Sequence, residues 1–243
     1  MSYILIIGAK SDIAKEVARV YAKNGYNLYL AARESDSLED LKQDIALRSG
    51  VEVVLKEFDI TDFTSHESFY GSLEEKPHGV IVVSGYMAEQ KSAQKEWSET
   101  LQTINVNYTG AVSILNIIAN DFEKERRGFI VGVSSVAGDR GRKANYIYGS
   151  SKAAFSAYLG GLRNRLYESG VQVLTVKPGF VHTKMTEHLD LPPKLTATPN
   201  EVAEDIFNAQ QKGRNVLYTK PIWMVIMLII KHIPEFLFKK MSI

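Results

Sequence analysis

The chain has 243 residues, of which 45% are hydrophobic and 23% charged, and this length fits one large α/β domain or two small ones. Its formal charge of +1 creates no basic field toward nucleic acid, so we expect no nucleic-acid partner. The absence of cysteine excludes disulfides, thiolate metal sites and thiol nucleophiles, and it fits a reducing compartment. Because no basic region and cleavage site precede the first apolar run, we expect a cytoplasmic protein without a secretory signal.

Short apolar runs alternate along the chain with longer amphipathic stretches. The short runs predict strands, in chain order, at Tyr3–Ile7, Asn27–Ala31, Glu52–Glu57, Gly79–Val83, Phe129–Val133, Val171–Val176 and Asn215–Tyr218. The amphipathic stretches predict helices at Ser11–Asn24, Ser37–Ser49, Ser65–Leu73, Glu96–Asp121 (with a break near Asn107), Asn145–Glu168 and Pro199–Lys212. The proline-bearing segment Leu189–Ala197 is predicted to be an irregular loop.

The predicted strands are almost continuously apolar, which is typical of a parallel sheet that helices cover on both faces. No linker, internal repeat or low-complexity segment divides the chain. We therefore predict a single doubly wound α/β domain with a seven-stranded parallel sheet over residues 1–219, followed by an apolar tail over residues 220–243.

A candidate catalytic centre lies in the fifth predicted helix and just before it. Tyr148 and Lys152, in YGSSK, are four residues apart and share one helix face. A neighbouring ammonium lowers the pKa of a phenol, which makes the phenol a usable acid or base near neutral pH. Ser135, in GVSSVAG, would polarise a carbonyl, and its spacing from the tyrosine favours it over Ser134. For the short YxxxK pattern alone, a surface tyrosine beside an unrelated lysine is the alternative.

A glycine-bearing turn, GAKSDIA, follows the first predicted strand and leads into the first helix. Such a turn aims backbone N–H groups and a helix N-terminus at a pyrophosphate. Asp12 and Ala14 occupy places where later glycines are usual, so Asp12 either brings a carboxylate near the phosphates or caps the helix. An ordinary tight strand–helix connection is the alternative. The predicted dinucleotide contacts in this turn are Gly8, Lys10, Ser11, Asp12 and Ile13.

The ends of the second and third strands indicate which dinucleotide binds. A site for a cofactor without a 2′-phosphate usually has an acid after the second strand, whereas this chain has Ala32 and then Arg33. A guanidinium suits a phosphate, and Lys10 can reach the same region, so we predict NADPH/NADP rather than NADH. Arg33 as a solvated charge beside Glu34 is the alternative. Asp59, in FDITD, is predicted to accept a hydrogen bond from the adenine amino group or to stabilise a turn.

These motifs together resemble the short-chain dehydrogenase/reductase family from about Tyr3 to Tyr218, through GAKSDIA, LAAR, FDIT, VSG, NVNYTG, GVSSVAG, YGSSK and KPGFVHT. The resemblance implies a Rossmann-type domain and reversible hydride transfer between a nicotinamide and a carbonyl or alcohol. It implies that Tyr148 is the acid/base, that Lys152 lowers the pKa of Tyr148 and holds the nicotinamide ribose, and that Ser135 polarises the carbonyl.

The same resemblance implies that Asn107, rather than Asn105, supports a water-mediated proton relay. Where the family usually has NNAG, this chain has VVSG, so Ser84 and Gly85 stand without the asparagines that brace the sheet. Family habit also implies a homodimer or homotetramer. No metal site is predicted, because the histidines lack metal-ligand spacing. The further implied cofactor contacts are Ile60, Ser84, Gly85, Pro178, Gly179, Val181 and Thr183.

The tail contains an apolar run, Ile222–Ile230, that is too short to cross a bilayer, since a spanning helix needs ~20 residues. Pro234 would also interrupt a helix. Lysines flank the run, so residues 221–241 fit a peripheral membrane anchor. Packing into the core or into a subunit interface is the alternative, and the sequence leaves both open.

SDIA, KPGFVHTKMT and the tail resemble the decaprenylphosphoryl-2-keto-ribose reductase branch of the family. This resemblance implies a lipid-linked keto-sugar as the carbonyl substrate and a location at the inner face of the membrane. A soluble reductase of 3-oxoacyl thioesters or small ketones is the alternative enzyme. A non-catalytic dinucleotide sensor is a third interpretation, and the complete set of Ser135, Tyr148 and Lys152 argues against it.

Overall fold

The computed structural model describes residues 1–187 and 190–241, so His188, Leu189, Ser242 and Ile243 lie outside the described residues. Seven parallel strands form one sheet in the order β3-β2-β1-β4-β5-β6-β9. Two shorter strands, β7 and β8, pair with each other outside that sheet. The strands are β1 Tyr3–Ile7, β2 Asn27–Ala32, β3 Val53–Glu57, β4 Gly79–Val82, β5 Phe129–Val133, β6 Gln172–Pro178, β7 Phe180–Val181, β8 Thr196–Ala197 and β9 Val216–Thr219.

Helices follow most of the strands, as a doubly wound sheet requires. The helices are α1 Asp12–Lys23, α2 Glu39–Ser49, α3 His66–Gly71, α4 Gln90–Ala93, α5 Trp97–Ile104, α6 Gly110–Glu125, α7 Tyr146–Leu166, α8 Pro199–Gln211, α9 Ile222–His232 and α10 Glu235–Phe238. A π-helical turn, Asn105–Thr109, joins α5 to α6.

Each face of the sheet carries its own apolar core. The helices α1, α2 and α8 pack on one face, and α3, α6 and α7 pack on the other. The central strands β1, β4 and β5 are buried along their whole length, because both of their faces meet helices. The predicted doubly wound, seven-stranded parallel fold is confirmed.

The helix boundaries predicted from the sequence differ from the structure around α2 and around α5 and α6, and they agree with it at the start of α8. The predicted helix Glu96–Asp121 is interrupted by the π-helical turn around Asn107 and continues to Glu125. A 3-10 turn, Ser35–Leu38, precedes α2 and replaces the predicted start of that helix. The predicted capping box of Thr198 and Glu201 does begin α8.

The strand order reverses next to β1, and this places the functional crevice. β1 pairs with β2 on one side and with β4 on the other, so the connections that leave their carboxyl ends diverge to opposite faces. Ligands of open α/β sheets bind in the crevice at such a point. The glycine turn after β1 and the segment after β4 both begin there.

Candidate active site

Two adjoining cavities lie at the carboxyl edge of the sheet, with volumes of about 530 Å³ and about 370 Å³. Lys10, Ser11, Val83 and Gly85 line both cavities, so one elongated ligand can occupy the two together. The larger cavity is also lined by the predicted contacts Gly8, Arg33, Asp59, Ile60 and Ser84. The smaller cavity is also lined by Asp12, Ile13, Ser135, Tyr148, Lys152, Pro178, Gly179, Val181 and Thr183.

The glycine turn is shaped by a close approach between β1 and the segment after β4. Gly8 has φ +84°, and a Cβ there would lie 2.7 Å from the backbone nitrogen of Ser84. Only glycine accepts both constraints without strain. This leaves the backbone of the turn open to a ligand, which is what a dinucleotide pyrophosphate needs.

The first helix is capped by Ser11, whose Oγ accepts a hydrogen bond from the amide of Ala14 at 3.1 Å. Asp12 does not cap the helix. Its Oδ2 accepts a hydrogen bond from the amide of Lys184 at 2.9 Å. Asp12 therefore ties the glycine turn to the segment after β7, and it holds two walls of the smaller cavity together.

Arg33 is exposed at the rim of the larger cavity, where the second strand ends. Lys10 lines the same cavity, and its Nζ forms an exposed ion pair with Glu34 at 2.6 Å, so a contact between Lys10 and the same phosphate stays a prediction. Glu34 has φ +52°, and this left-handed turn is held by Glu57, which accepts the amides of Glu34 and Ser35 at 2.9 Å each. Arg33 is thus the cation presented by a braced turn.

Asp59 is held by hydrogen bonds from its own turn. Its Oδ1 accepts the backbone amide of Thr61 at 2.8 Å and the hydroxyl of Thr61 at 2.7 Å. Burial would raise the pKa of Asp59, but these bonds and the charge of Arg33 outweigh burial and lower it. The carboxylate is therefore ionised and lines the larger cavity as a hydrogen-bond acceptor.

Lys152 is the buried cation of the site, with 3% of its surface exposed. Its Nζ donates to the carbonyl of Val133 at 3.1 Å and contacts the carbonyl of Ser84 at 3.4 Å, and it lies 5.9 Å from the ring centroid of Tyr148. Burial lowers the pKa of Lys152 to about 8. The ammonium is therefore still protonated at neutral pH, although it is largely removed from water.

Burial also raises the pKa of Tyr148 to about 12, against the opposing effect of a hydrogen bond with Ser135. The sequence predicts a lowered pKa from the neighbouring Lys152, and this expectation is wrong for the structure described. Burial of the phenol is the largest effect on its pKa, and a lowering by the ammonium is not among the effects that set it. Tyr148 is consequently protonated across the physiological pH range.

The two competing serines point to different tasks. Ser135 begins a short 3-10 helix, Val136–Gly138, and its Oγ accepts the amide of Ala137 at 3.1 Å on the wall of the smaller cavity. Ser134 is buried, and its Oγ bonds to the carbonyl of Lys152 at 2.9 Å and to the hydroxyl of Ser156 at 2.7 Å. Ser134 thus braces α7, while Ser135 faces the phenol.

Asn107 lines neither cavity. The π-helical turn points its amide at the segment after β4, where Oδ1 accepts the amide of Tyr86 at 2.7 Å and Nδ2 donates to the carbonyl of Tyr86 at 2.8 Å. Nδ2 also lies 3.0 Å from Oγ of Ser151, which in turn donates to the carbonyl of Tyr148. The side chain therefore connects the β4 segment to the catalytic helix.

Sequence reasoning missed several side chains that line the smaller cavity. Trp223, from the tail, packs so closely on Gly179 that a Cβ there would lie 1.9 Å from its Nε1. Its Nε1 donates to the carbonyl of Leu195 at 2.9 Å. The glycine after Pro178 was a signal of this close approach, but the sequence did not say which residue makes it. Other missed residues include Met87, Arg142, Asn145, Phe180 and Met185.

Comparisons with known proteins agree with this geometry. A family profile described as short chain dehydrogenase matches residues 2–193. An uncharacterized oxidoreductase of Mycobacterium tuberculosis is 33% identical over 241 residues, which cover 98% of this chain and 96% of the relative. A solved short-chain dehydrogenase from Sphingobium yanoikuyae in complex with NADPH has a TM-score of 0.83 at 22% identity and covers 97% of each chain. An actinorhodin polyketide ketoreductase variant with NADPH has a TM-score of 0.80 at 22% identity, and the match covers 89% of this chain and 95% of the other.

The sequence matches establish the family, and the structural matches support the fold. Two adjoining cavities at the switch point suit a nicotinamide dinucleotide, and a tyrosine, a lysine and a serine meet on one wall. With a profile match that spans most of its length, the chain belongs to the short-chain dehydrogenase family and is an oxidoreductase.

Proposed function

We propose that this protein reduces a ketone to an alcohol with NADPH, in a reversible reaction. The single observation that carries the proposal is the convergence of Ser135, Tyr148 and Lys152 on the wall of the smaller cavity, directly beside the dinucleotide-sized cleft. A protein that only senses a dinucleotide needs the cleft and has no use for a half-buried phenol beside a buried ammonium.

The bound nicotinamide would supply the hydride. Tyr148 would donate a proton to the carbonyl oxygen, and its raised pKa keeps that proton in place at neutral pH. Positioned general acids contribute ~10²–10⁴-fold to the rate. Ser135 would donate a hydrogen bond that strengthens as the oxygen becomes negative, and the charge of Lys152 would stabilise the phenolate left behind. Lys152 would also hold the nicotinamide ribose.

Asn107 would act as a positioning residue of this centre and support a water-mediated proton relay to Lys152. A Cβ placed on Gly85 would lie 3.7 Å from Nζ of Lys152 and 3.9 Å from Oδ1 of Asn107. The asparagine, the lysine and the glycine are thus neighbours, although the asparagine itself lines neither cavity. Replacing Asn107 by Ala should misplace both Tyr86 and Ser151 and slow proton transfer without abolishing cofactor binding.

The test of the catalytic assignment is Tyr148→Phe. Turnover of any ketone by the purified variant should fall by ~10²–10⁴-fold, while the Kd for NADPH stays within a few-fold of the wild-type value. Tyr146→Phe is the matched control, because Tyr146 lies on the same helix, is 45% exposed and bonds to Gln94 away from the cavities. Undiminished turnover by Tyr148→Phe would refute the assignment.

NADPH is proposed over NADH because Arg33 stands at the rim of the larger cavity on a braced turn and is held by no side-chain hydrogen bond within the described residues. Charge-assisted hydrogen bonds to a 2′-phosphate are worth about 1.5–3 kcal/mol. Arg33→Ala should therefore raise the Kd for NADPH by about tenfold or more and leave the Kd for NADH unchanged. Equal effects on the two cofactors would contradict the assignment.

For the substrate we propose a keto-sugar linked to a lipid, as the decaprenylphosphoryl-2-keto-ribose reductase resemblance implies. The tail supports this idea by its position. Trp223 and Met227 anchor α9 in the protein, and Trp223 lines the smaller cavity. The opposite side of the tail exposes large apolar side chains, namely Ile222, Met224, Val225, Leu228, Ile229, Phe236, Leu237 and Met241.

These exposed side chains form an apolar face that we propose rests on the inner membrane surface beside the cavity that takes the carbonyl. Lys231, His232, Lys239 and Lys240 lie in the same segment and would meet anionic headgroups. Within residues 1–187 and 190–241, no helix has both the length and the hydrophobicity to cross a bilayer. The proposed contact is therefore peripheral.

The membrane test uses substitution, because removal of the tail would also remove the core residues Trp223 and Met227. Leu228→Glu with Ile229→Glu should abolish co-sedimentation with vesicles of phosphatidylglycerol and phosphatidylcholine. Leu47→Glu is the control, since Leu47 is 88% exposed on α2. Equal binding of all three proteins, or no binding by the wild type, would favour a protein-packing role for the tail.

A soluble reductase of 3-oxoacyl thioesters or small ketones is the second candidate. The modest cavity of about 370 Å³ and its lining by Met87, Met185 and Phe180 favour it. We further propose that the protein is a homodimer or homotetramer, that it is located in the cytoplasm, and that the chain is divided into a catalytic domain (residues 1–219) and a tail (residues 220–243). Light scattering would test the oligomeric state, and a monomeric mass would contradict the proposal.

A further inference from the structure

We propose that Arg142 and Asn145 form a subsite for a negatively charged group, a phosphate or a carboxylate, on the carbonyl substrate. This inference rests on the proposed ketone reduction and names the chemical class of its substrate. Both side chains line the smaller cavity together with Tyr148, and neither lines the larger cavity.

Arg142 is a cation without a hydrogen-bond or ion-pair partner in the part of the chain that the structure describes. Among the described residues, its guanidinium makes no hydrogen bond and no ion pair, and its Nε is buried without an acceptor. Asp139, the acid whose charge acts on the pKa of Arg142, is already engaged by the ammonium of Lys177 and by the hydroxyl of Tyr218 at 2.7 Å. Burial accordingly lowers the pKa of Arg142. A half-buried guanidinium without a partner carries a desolvation cost that an anionic ligand would offset.

Asn145 is the second residue whose side chain makes no hydrogen bond among the described residues, although its position is one where asparagine normally caps a helix. It occupies the N-cap of α7, but its side chain makes no capping hydrogen bond. Gln90, from α4, takes that role, because its Oε1 accepts the amide of Ile147 at 3.2 Å. The Oδ1 of Asn145 is buried and finds no partner in residues 1–187 and 190–241. Since amide oxygen and nitrogen are interchangeable by a flip, the side chain can offer its NH₂ to an anion.

The backbone holds these two side chains together and close to the reacting centre. The amide of Asn145 donates to the carbonyl of Arg142 at 3.1 Å, which closes a tight turn just before α7. Tyr148 follows Asn145 by three residues, within the first turn of the helix. One helical turn rises about 5 Å, so the charged group would lie only a few atoms from the carbonyl that Tyr148 protonates.

The test compares ketones that differ only in charge. The probes are 4-oxopentanoate against methyl 4-oxopentanoate, and hydroxyacetone phosphate against hydroxyacetone. For wild type, kcat/KM should be higher for the charged member of at least one pair, and the pair with the larger ratio identifies carboxylate or phosphate. Arg142→Gln should lower that charged-to-neutral ratio by about 10- to 100-fold, as expected for loss of a charge-assisted hydrogen bond.

Lys143→Gln is the matched control, because Lys143 is exposed, adjacent in sequence and outside the cavity lining. Its charged-to-neutral ratio should equal that of wild type. Arg142→Glu should favour the neutral ketones over the charged ones. The NADPH affinity and the midpoint of thermal unfolding of each variant establish that it is folded.

A binding measurement distinguishes failure of the proposed anion subsite from failure of the proposed ketone reduction. Thermal shifts of the NADPH complex with each probe report charge-selective binding without turnover. Turnover with the same charged-to-neutral ratio in wild type and Arg142→Gln would overturn the subsite and keep the proposed function. Charge-selective binding that requires Arg142, without reduction of any ketone, would support the subsite and overturn the proposed function.

Discussion

Lys152→Met removes the buried charge of the candidate active site and should make the protein more stable near neutral pH. Burial lowers the pKa of Lys152 from 10.5 to about 8. Such a fall corresponds to about 3 kcal/mol by which folding disfavours the ammonium. Methionine has a similar length and no charge, so the variant avoids this cost. It leaves the carbonyls of Val133 and Ser84 without their donor, which costs about 1 kcal/mol each. The net gain at pH 7 is about 1 kcal/mol.

The dependence on pH is the sharper measurement. The unfolded chain holds the Lys152 proton up to its ordinary pKa of 10.5, whereas the folded protein releases it near 8. Unfolded protein therefore binds more protons between these values, and the wild-type contribution to stability rises as pH rises through them. The variant lacks this rise. The stability difference, variant minus wild type, should fall by about 2 kcal/mol between about pH 7 and pH 9.5 and change sign.

The assay is urea denaturation of both proteins, without cofactor, at several pH values in that window. Other groups that titrate there are common to the two proteins and cancel in the difference. Lys143→Met serves as the control for loss of an exposed lysine, and its difference from wild type should stay flat. Parallel stability curves for Lys152→Met and wild type would show that Lys152 is not a desolvated cation, and the reasoning would fail.

Three further predictions follow from the same contacts. Ketone reduction should decline above about pH 8, because Lys152 then loses its proton while Tyr148 keeps its own; a pH–rate profile that stays flat to pH 10 would contradict this. Gly179→Ala should lower the free energy of unfolding by about 1–3 kcal/mol, because its Cβ would overlap Trp223, and most of that cost should vanish in a Trp223→Ala background. Arg140→Met should increase hydrogen exchange of α9 and α10, because Arg140 donates to the carbonyls of Ile230 and Ile233, pairs with Glu235 and stacks on Phe238; unchanged protection would assign the docking of the tail to Trp223 and Met227 alone.

The strands could be predicted from the sequence because a parallel strand buried on both faces must be apolar along its length. β1 and β5 satisfy this rule, and their boundaries match the prediction. The pairing of Tyr148 with Lys152 was equally accessible, since helical spacing alone puts them on one face. Local rules of this kind need no knowledge of distant chain segments.

Contacts between distant segments could not be predicted in that way. Asp12 and Lys184, which form a hydrogen bond, are 172 positions apart in the sequence. Gln90, rather than Asn145, caps α7 by accepting the amide of Ile147, which is 57 positions away. The direction of the pKa of Tyr148 was predicted wrongly for the same reason, because burial depends on how all the walls assemble. The tail packs Trp223 and Met227 into the protein and exposes its other large apolar side chains, so packing describes one face, and membrane contact of the exposed face stays a prediction.

The charged side chains that line the smaller cavity affect both the stability of the protein and its selectivity for ligands. The cavity lining within the described residues includes the cations Lys10, Arg142, Lys152 and Lys184, against the single acid Asp12. Glu34 balances Lys10 from outside the cavity, but no acid forms an ion pair with Arg142 or Lys152 among the described residues. Lys10 and Lys184 are exposed, but Lys152 is buried and Arg142 half-buried, and poorly solvated cations without an ion-pair partner destabilise the free protein. Anionic ligands relieve that cost only if their charges lie where these cations point, so the same imbalance that weakens the fold favours binding of a phosphate-bearing cofactor and a charged substrate.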